Sequence, residues 1–202
     1  MDITQLRSSP SCERNQEPIR QVLEQEMPAQ AKVLEIGSGT GQHAVYFTRA
    51  MPGLDWHCTD RGPDLDDLQL RLDHCADKPL PKAQVLDVTQ AQWPDLQFDA
   101  AYSANTAHIM SWSMVCAMLQ RLPERLKPDG LFFLYGPFSY DGAHTAESNQ
   151  AFDQRLRAEN PAMGIRDALE LERQASISGL HLMRDIEMPA NNRILIFKRE
   201  SL

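Results

Sequence analysis

The sequence predicts an α/β fold: a mostly parallel sheet with helices on both faces, closed by an antiparallel hairpin at the C-terminal end. Three observations predict it. Short apolar runs alternate along the chain with segments whose apolar residues recur at helical spacing. A glycine-rich turn follows the first of these runs directly. The last two runs are joined by too few residues to hold a crossover helix, so they pair antiparallel.

The elements follow in order. The first fourteen or so residues are polar and without periodicity. "EPIRQVLEQEM" then places Ile19, Val22, Leu23 and Met27 on one helical face, with Pro18 suited to a first-turn position. "AKVLEIG" reads as a short buried strand and "GQHAVYFTRAM" as a helix with Ala44, Phe47 and Met51 on one side. "LDWHCTD" is a strand ending at Asp60, and "PDLDDLQLRLDHCA" a helix carrying Leu65, Leu68 and Leu72. "AQVLDVT" and "FDAAYSAN" are strands ending near Asp87 and Asn105. "SWSMVCAMLQRLPERL" is a helix, "KPDG" a turn, and "GLFFLYGPF" a strongly apolar strand. A long loop runs from Gly136 to about Glu147, before a helix with Phe152 and Leu156 and a further helix stopped at Gly179. "HLMRDIEMP" and "NRILIFKRE" form the closing hairpin around "ANN".

The chain has 202 residues, enough for one sizeable core, and reads as a single domain over 1–202. No apolar run approaches the ~20 residues needed to span a bilayer, so no membrane partner is expected. "MDITQLRSSP" lacks a basic-then-apolar export pattern, and the four cysteines are scattered, so a reducing, cytoplasmic setting is expected. The formal net charge of −8 argues against bulk nucleic acid as a partner. A small molecule is the simpler expectation.

"VLEIGSGTG" carries the chemistry. A strand, a glycine-rich turn and a helix at the start of a parallel sheet make a ligand cradle, because backbone N–H groups there are free to face a polar ligand. No Gly-Lys-Ser/Thr follows, which excludes a Walker loop. Gly37, Gly39 and Gly41 give G-x-G-x-G, with Gln42 where a dinucleotide fingerprint has its last glycine. The acid Glu35 before the glycines repels a pyrophosphate and favours a ligand with a cation, such as the sulfonium and α-amino group of S-adenosylmethionine. Asp60 at the second strand end suits two ribose hydroxyls, and Asp87 at the third suits an adenine amino group.

"VLEIGSGTG" resembles the first motif of class I S-adenosylmethionine-dependent methyltransferases. That resemblance implies a Rossmann-like, seven-stranded sheet. It also implies S-adenosyl-L-methionine as cofactor, with Glu35, Gly37 and Gly39 at its methionine end, Asp60 on the ribose, Asp87 at the adenine, Asn105 near the transferring methyl, and Gly41 and Val88 among the cofactor-binding residues. More narrowly, "SPSCERNQEPI", "VLEIGSGTGQHAVYF", "LYGPF", "DGAHT" and "EMPANN" together resemble the DUF938 family, also described as methyltransferase-like 26 or UPF0585. The fourth motif, "SANT", lacks the N/D-P-P-Y/F pattern of the enzymes that methylate amides and nucleobases.

The expected activity is methyl transfer to a small-molecule acceptor. His108, Tyr140 and His144 are the catalytic candidates, since a base is needed only where the acceptor loses a proton. Arg14, Asn15 and Tyr135 are expected to touch the substrate, with the segment before the first helix and the loop after the fifth strand closing over the cofactor. The alternatives are a nicotinamide-dependent oxidoreductase and a non-catalytic cofactor-binding protein on the same fold. "HC" occurs at 57–58 and 74–75, but strand neighbours point to opposite faces, so His57 and Cys58 cannot share one metal. Cys116, on an apolar helix face, is expected in the core.

Overall fold

The computed structural model describes residues 6–62 and 65–201. Pro63 and Asp64, expected to open the third helix, lie outside the described residues, as do the first five residues of the polar N-terminal segment.

Seven strands form the main sheet: β1 (Ala31–Ile36), β2 (Leu54–Asp60), β3 (Gln84–Val85), β4 (Phe98–Ala104), β5 (Leu126–Gly136) and, numbered in chain order, β9 (Leu180–Met188) and β10 (Asn192–Arg199). Their order is β3-β2-β1-β4-β5-β10-β9, with β10 antiparallel to both of its neighbours and every other pair parallel. The order reverses between β1 and β4, and the crevice beyond their C-terminal ends is where such sheets hold ligands.

Strand alternation sorts the core into two layers. On β5, Phe133 and Tyr135 face one side and Phe132 and Leu134 the other. The first layer packs Phe47 and Trp56 under α1 (Pro10–Glu26), α2 (Gln42–Ala50) and α3 (Leu65–Cys75). The second packs Phe132 and Phe197 under α4 (Trp112–Arg121) and α6 (Ala168–Ile177). Each fully buried aromatic or leucine side chain contributes on the order of 1.5–3 kcal/mol. Burial on both faces explains why these strands read as continuous apolar runs. Cys116 is only half-buried, beside the core positions Val115 and Leu119, because the apolar face of α4 is narrower than its composition suggests.

Three elements depart from the sequence reading. The first helix begins at Pro10, seven residues before the expected start at Glu17, and Pro18 lies inside it. Its first two turns are held by polar contacts to α2, so no apolar period betrays them. The Ser9 N–H donates to Gln42 Oε1 (2.6 Å), His43 Nε2 meets Asn15 Oδ1 (2.8 Å), and the Tyr46 hydroxyl donates to Glu17 (2.7 Å). The "KPDG" turn is present, but as a bulge inside β5: Phe98 pairs with Leu126 and Ala100 with Leu131, so 127–130 loop out. Asp129 takes the positive φ of 62° this needs.

The long loop after β5 is the third departure. It folds into β6 (Phe138–Tyr140) and β7 (Ala143–His144), an antiparallel pair turning at Asp141 and Gly142. With β8 (Arg166–Asp167) these make a second sheet of three strands. Between them runs α5 (Glu147–Glu159). Strands this short carry no legible period, which is why the sequence reads as loop.

Candidate functional site

A cavity of about 1110 Å³ opens at the C-terminal edge of β1, β2, β4 and β5. This exceeds the ~300–1,000 Å³ of ordinary small-ligand pockets and leaves room for two small molecules side by side.

The glycine loop forms its floor, and the three glycines have different roles. Gly37 (φ 77°) lies against the turn after β4, where a Cβ would stand 2.5 Å from Thr106 Cγ2. Gly41 (φ 73°) caps α2, where a Cβ would meet Leu68 of α3 at 2.7 Å. Gly41 therefore serves helix packing and is absent from the cavity wall. Gly39 (φ 53°) is the one of the three that opens onto space: a Cβ there meets nothing within 4 Å. The loop is stitched to β2, since the Gly37 and Ser38 N–H groups both donate to the Thr59 carbonyl (3.0 and 2.9 Å).

The three strand-end acids separate. Glu35 is buried on the cavity floor, where its carboxylate accepts from Trp56 Nε1 (2.9 Å) and Cys58 Sγ (3.5 Å). Burial pushes its pKa up, against these hydrogen bonds. Asp60 stands on the wall, its carboxylate accepting from the Gly39 N–H (2.5 Å) and the Arg61 N–H (2.6 Å). Asp87 turns away. Leu86 and Val88 line the cavity but Asp87, two residues past the end of β3, does not, and its carboxylate accepts from the Thr89 N–H (2.9 Å) and hydroxyl (2.7 Å). Those bonds hold its pKa down.

Asn105, after β4, adopts a left-handed φ of 58° and donates its N–H to the Tyr135 carbonyl (2.9 Å). Both residues line the cavity, as do Arg14, Asn15 and His108. α1 reaches this edge through a buried polar chain. The Tyr102 hydroxyl meets His43 Nδ1 (3.1 Å), His43 Nε2 meets Asn15, and Asn15 lies against the Tyr135 phenol. Burial lowers His43 to a pKa of about 4, so it stays neutral and satisfies both partners.

His108 sits on the turn after β4, its ring edge-on to Phe152 of α5 (5.2 Å). It is 7% exposed, and burial, then the charge of Arg166, lower its pKa to about 4. Among the described residues the imidazole has no hydrogen-bond partner. Met110, Met114, Pro137 and Phe152 give this end of the cavity an apolar wall. The cavity's charged lining is Arg14, Glu35, Asp60 and Arg61.

Two catalytic candidates lie elsewhere, because the chain enters the second sheet after Pro137. The Tyr140 hydroxyl donates to Asp185 (2.6 Å) beneath the Arg193 guanidinium, and burial and Asp185 raise its pKa. His144 borders a separate cavity of about 450 Å³, its Nε2 3.7 Å from Asp153. Of the loop expected to close over the cofactor, only Pro137 lines the main cavity, whose rim also includes the hairpin turn Pro189–Asn192. The sequence reading missed His43, Thr106 and Phe152. The sequence offered "GQH" directly behind the glycines as a signal for the first; Thr106 and Phe152 come to the site only through the turn and helix that carry them.

A family model described as a protein of unknown function, DUF938, matches residues 6–199. Solved structures share the architecture. Human N-acetylserotonin methyltransferase, in complex with SAM, aligns with a TM-score of 0.80 at 13% identity, over 95% of this chain and 53% of that one. An O-methyltransferase family 2 protein from Planctomyces limnophilus, in complex with apigenin, aligns at 0.78 and 12% identity, over 94% and 60%. CalO1, a methyltransferase in calicheamicin biosynthesis in its SAH-bound form, aligns at 0.72 and 19% identity, over 94% and 55%. The chain spans a little over half the length of these proteins. The likeness establishes the fold: a Rossmann-like, seven-stranded sheet with a C-terminal antiparallel hairpin.

Proposed function

The chain belongs to the DUF938 family, and from that premise we propose that it is a methyltransferase that uses S-adenosyl-L-methionine to methylate a small-molecule acceptor. The observation that carries this reading is the pairing, in one cavity, of an open glycine cradle beside a strand-end acid with an apolar end holding a neutral histidine. Gly39 is the test of fit: its missing side chain leaves space in the cavity next to Asp60, as a closely bound ligand requires.

Each residue has a task in this reading. Asp60 accepts hydrogen bonds from ribose hydroxyls, and Leu86 and Val88 form an apolar slot for the base. Asn105, Gly37 and Gly39 border the methionine end, while Glu35 supports the loop from below. Arg14, Asn15 and Tyr135 supply polar ends for the acceptor. When bound, the cofactor supplies a methyl group already activated by its sulfonium. The protein's contribution is therefore alignment and exclusion of water, for which the wall of Met110, Met114 and Phe152 is suited. His108, neutral at physiological pH, offers an imidazole nitrogen that accepts a hydrogen bond from an acceptor hydroxyl and so orients it toward the methyl group. A hydroxylated molecule with an apolar body fits that end best, and the apigenin-bound neighbour supports the same class.

Asp87, Gly41, Tyr140 and His144 have no task here. The equation with methyltransferase-like 26 and a single-domain, cytoplasmic protein are further parts of the proposal; the four free cysteines support the compartment. Among the described residues no helix is long and apolar enough to cross a membrane.

Calorimetry tests the cofactor. S-adenosylhomocysteine is expected to bind and NADH not to. Asp60→Ala leaves ribose hydroxyls without an acceptor and weakens binding by about 1–3 kcal/mol. Tight NADH binding, or affinity within about twofold of wild type in Asp60→Ala, contradicts the assignment.

A further inference from the structure

Behind the turn that carries His108 lies an arginine outside the main cavity. Arg166, on β8, is 8% exposed. Its Nε donates to the Ala107 carbonyl (3.0 Å), and its Nη2 donates to the carbonyls of Met110 and of Ala162 (2.9 Å). The guanidinium thus spans the His108 turn from both sides. Two residues earlier, the Gly164 N–H donates to the His108 carbonyl itself (2.9 Å).

This connection is held from the far side as well. The Asp153 carboxylate accepts from the Ile165 N–H (2.7 Å) and pairs with Arg157 (2.8 Å). Gly164 (φ 144°) passes so close to that pair that a Cβ would stand 2.6 Å from the Arg157 guanidinium carbon. The segment between α5 and β8 is therefore clamped on one side by an ion pair and on the other to the backbone around His108. Arg166, Gly164, Asp153 and Arg157 all lie off the main cavity, yet they lead to an imidazole that faces the acceptor end with no hydrogen-bond partner among the described residues.

We propose that Arg166 is the positioning residue for His108, its guanidinium fixing the turn that aims the imidazole into the cavity and its charge standing close enough to act on that ring. The inference rests on the reading of the cavity as a methyl-acceptor site, where the imidazole beside the acceptor must be correctly aimed. Arg166 is the charge that acts on His108. On α5, Arg155 stands over the Phe152 ring (5.8 Å), and Asp153 and Arg157 neutralise each other. On α4 and α6, Cys116 and Glu170 act on Arg166. His108 accordingly has its pKa lowered to about 4, first by burial and then by Arg166, whereas His43 reaches about 4 by burial alone.

That difference gives the experiment its control. Imidazole resonances of the full chain, without any ligand, are titrated by NMR in wild type, Arg166→Gln and Arg166→Lys. Arg166→Gln removes the charge and is expected to raise the His108 pKa by about one unit, a tenfold change in its protonation ratio. Arg166→Lys restores the charge but not the fork. It should leave the pKa low while speeding exchange of the Gly164 amide about tenfold or more. His43 should stay in place in both. An unmoved His108 in Arg166→Gln overturns the proposal, as does an equal shift of both histidines, which marks general loosening. If Arg166→Gln does not fold, Arg166→Lys decides alone, and unchanged Gly164 exchange overturns it. Because no cofactor is present, failure here leaves the S-adenosylhomocysteine result standing, and failure there leaves this one.

Discussion

At the scale of single residues, the glycine loop shows how identical residues acquire different duties. Gly39 and Gly41 both have positive φ, so any side chain costs strain of order 1–3 kcal/mol at either position. Only Gly41 would also collide, with Leu68 at 2.7 Å. Gly41→Ala is therefore expected to lower stability more than Gly39→Ala while leaving S-adenosylhomocysteine affinity nearly intact in the folded fraction. Gly39→Val should do the reverse, binding at least about tenfold more weakly because its side chain projects into the cavity. Denaturant midpoints and calorimetry on the three variants check this, and a normal affinity in Gly39→Val refutes the cradle. Asp60 and Asp87 make the same point for acids. Both end strands in the sequence, but β2 runs to Asp60 and leaves it on the wall, whereas β3 stops at Val85 and Asp87 binds its own Thr89.

At the scale of elements, α1 is the informative case. Pro18 removes the N–H that would bond the Arg14 carbonyl and disfavours helical geometry at Glu17, a defect worth about 3 kcal/mol in an isolated helix interior. The helix continues regardless because Ile19 and Leu23 are fully buried and Asn15 and Glu17 are tied to α2. Pro18→Ala restores the donor but gives the unfolded chain more freedom, which offsets part of the gain. A net stabilisation of about 1–2 kcal/mol is expected by urea denaturation. A destabilised Pro18→Ala would show that the ring's packing at the cavity edge outweighs the missing hydrogen bond.

At the scale of the whole molecule, the buried histidines set the acid limit of stability. Unfolded, His43 and His108 each take up a proton as the pH falls through about 6.5; folded, neither does until about pH 4. The unfolded state thus binds more protons in that window, so stability is full above 6.5 and falls toward pH 4. The slope is up to about 1.4 kcal/mol per pH unit for each histidine. Glu35 opposes this, because its raised pKa lets the folded state take a proton that the unfolded chain does not yet hold above pH 4.5. Two histidines outweigh one carboxyl, so a net loss between pH 6.5 and 4.5 is expected. His108→Gln should flatten it by about one proton's worth. A stability profile level from pH 7 to 4.5 in wild type contradicts both histidines being buried neutral. The same scale shows what was legible in advance. Helices and strands with a full period, the glycine cradle at β1, the terminal hairpin and Asp60 could all be read from local pattern, because burial on one face or two imposes that pattern on the residues themselves. What only the tertiary structure decided lacks any such imprint. The first turns of α1 are held by polar side chains from another helix. β6 and β7 are too short to repeat a period, so Tyr140 and His144, expected on a loop over the cofactor, fall outside the main cavity. Arg166 meets His108 across 58 positions of chain, through backbone carbonyls that carry no sequence signal at all.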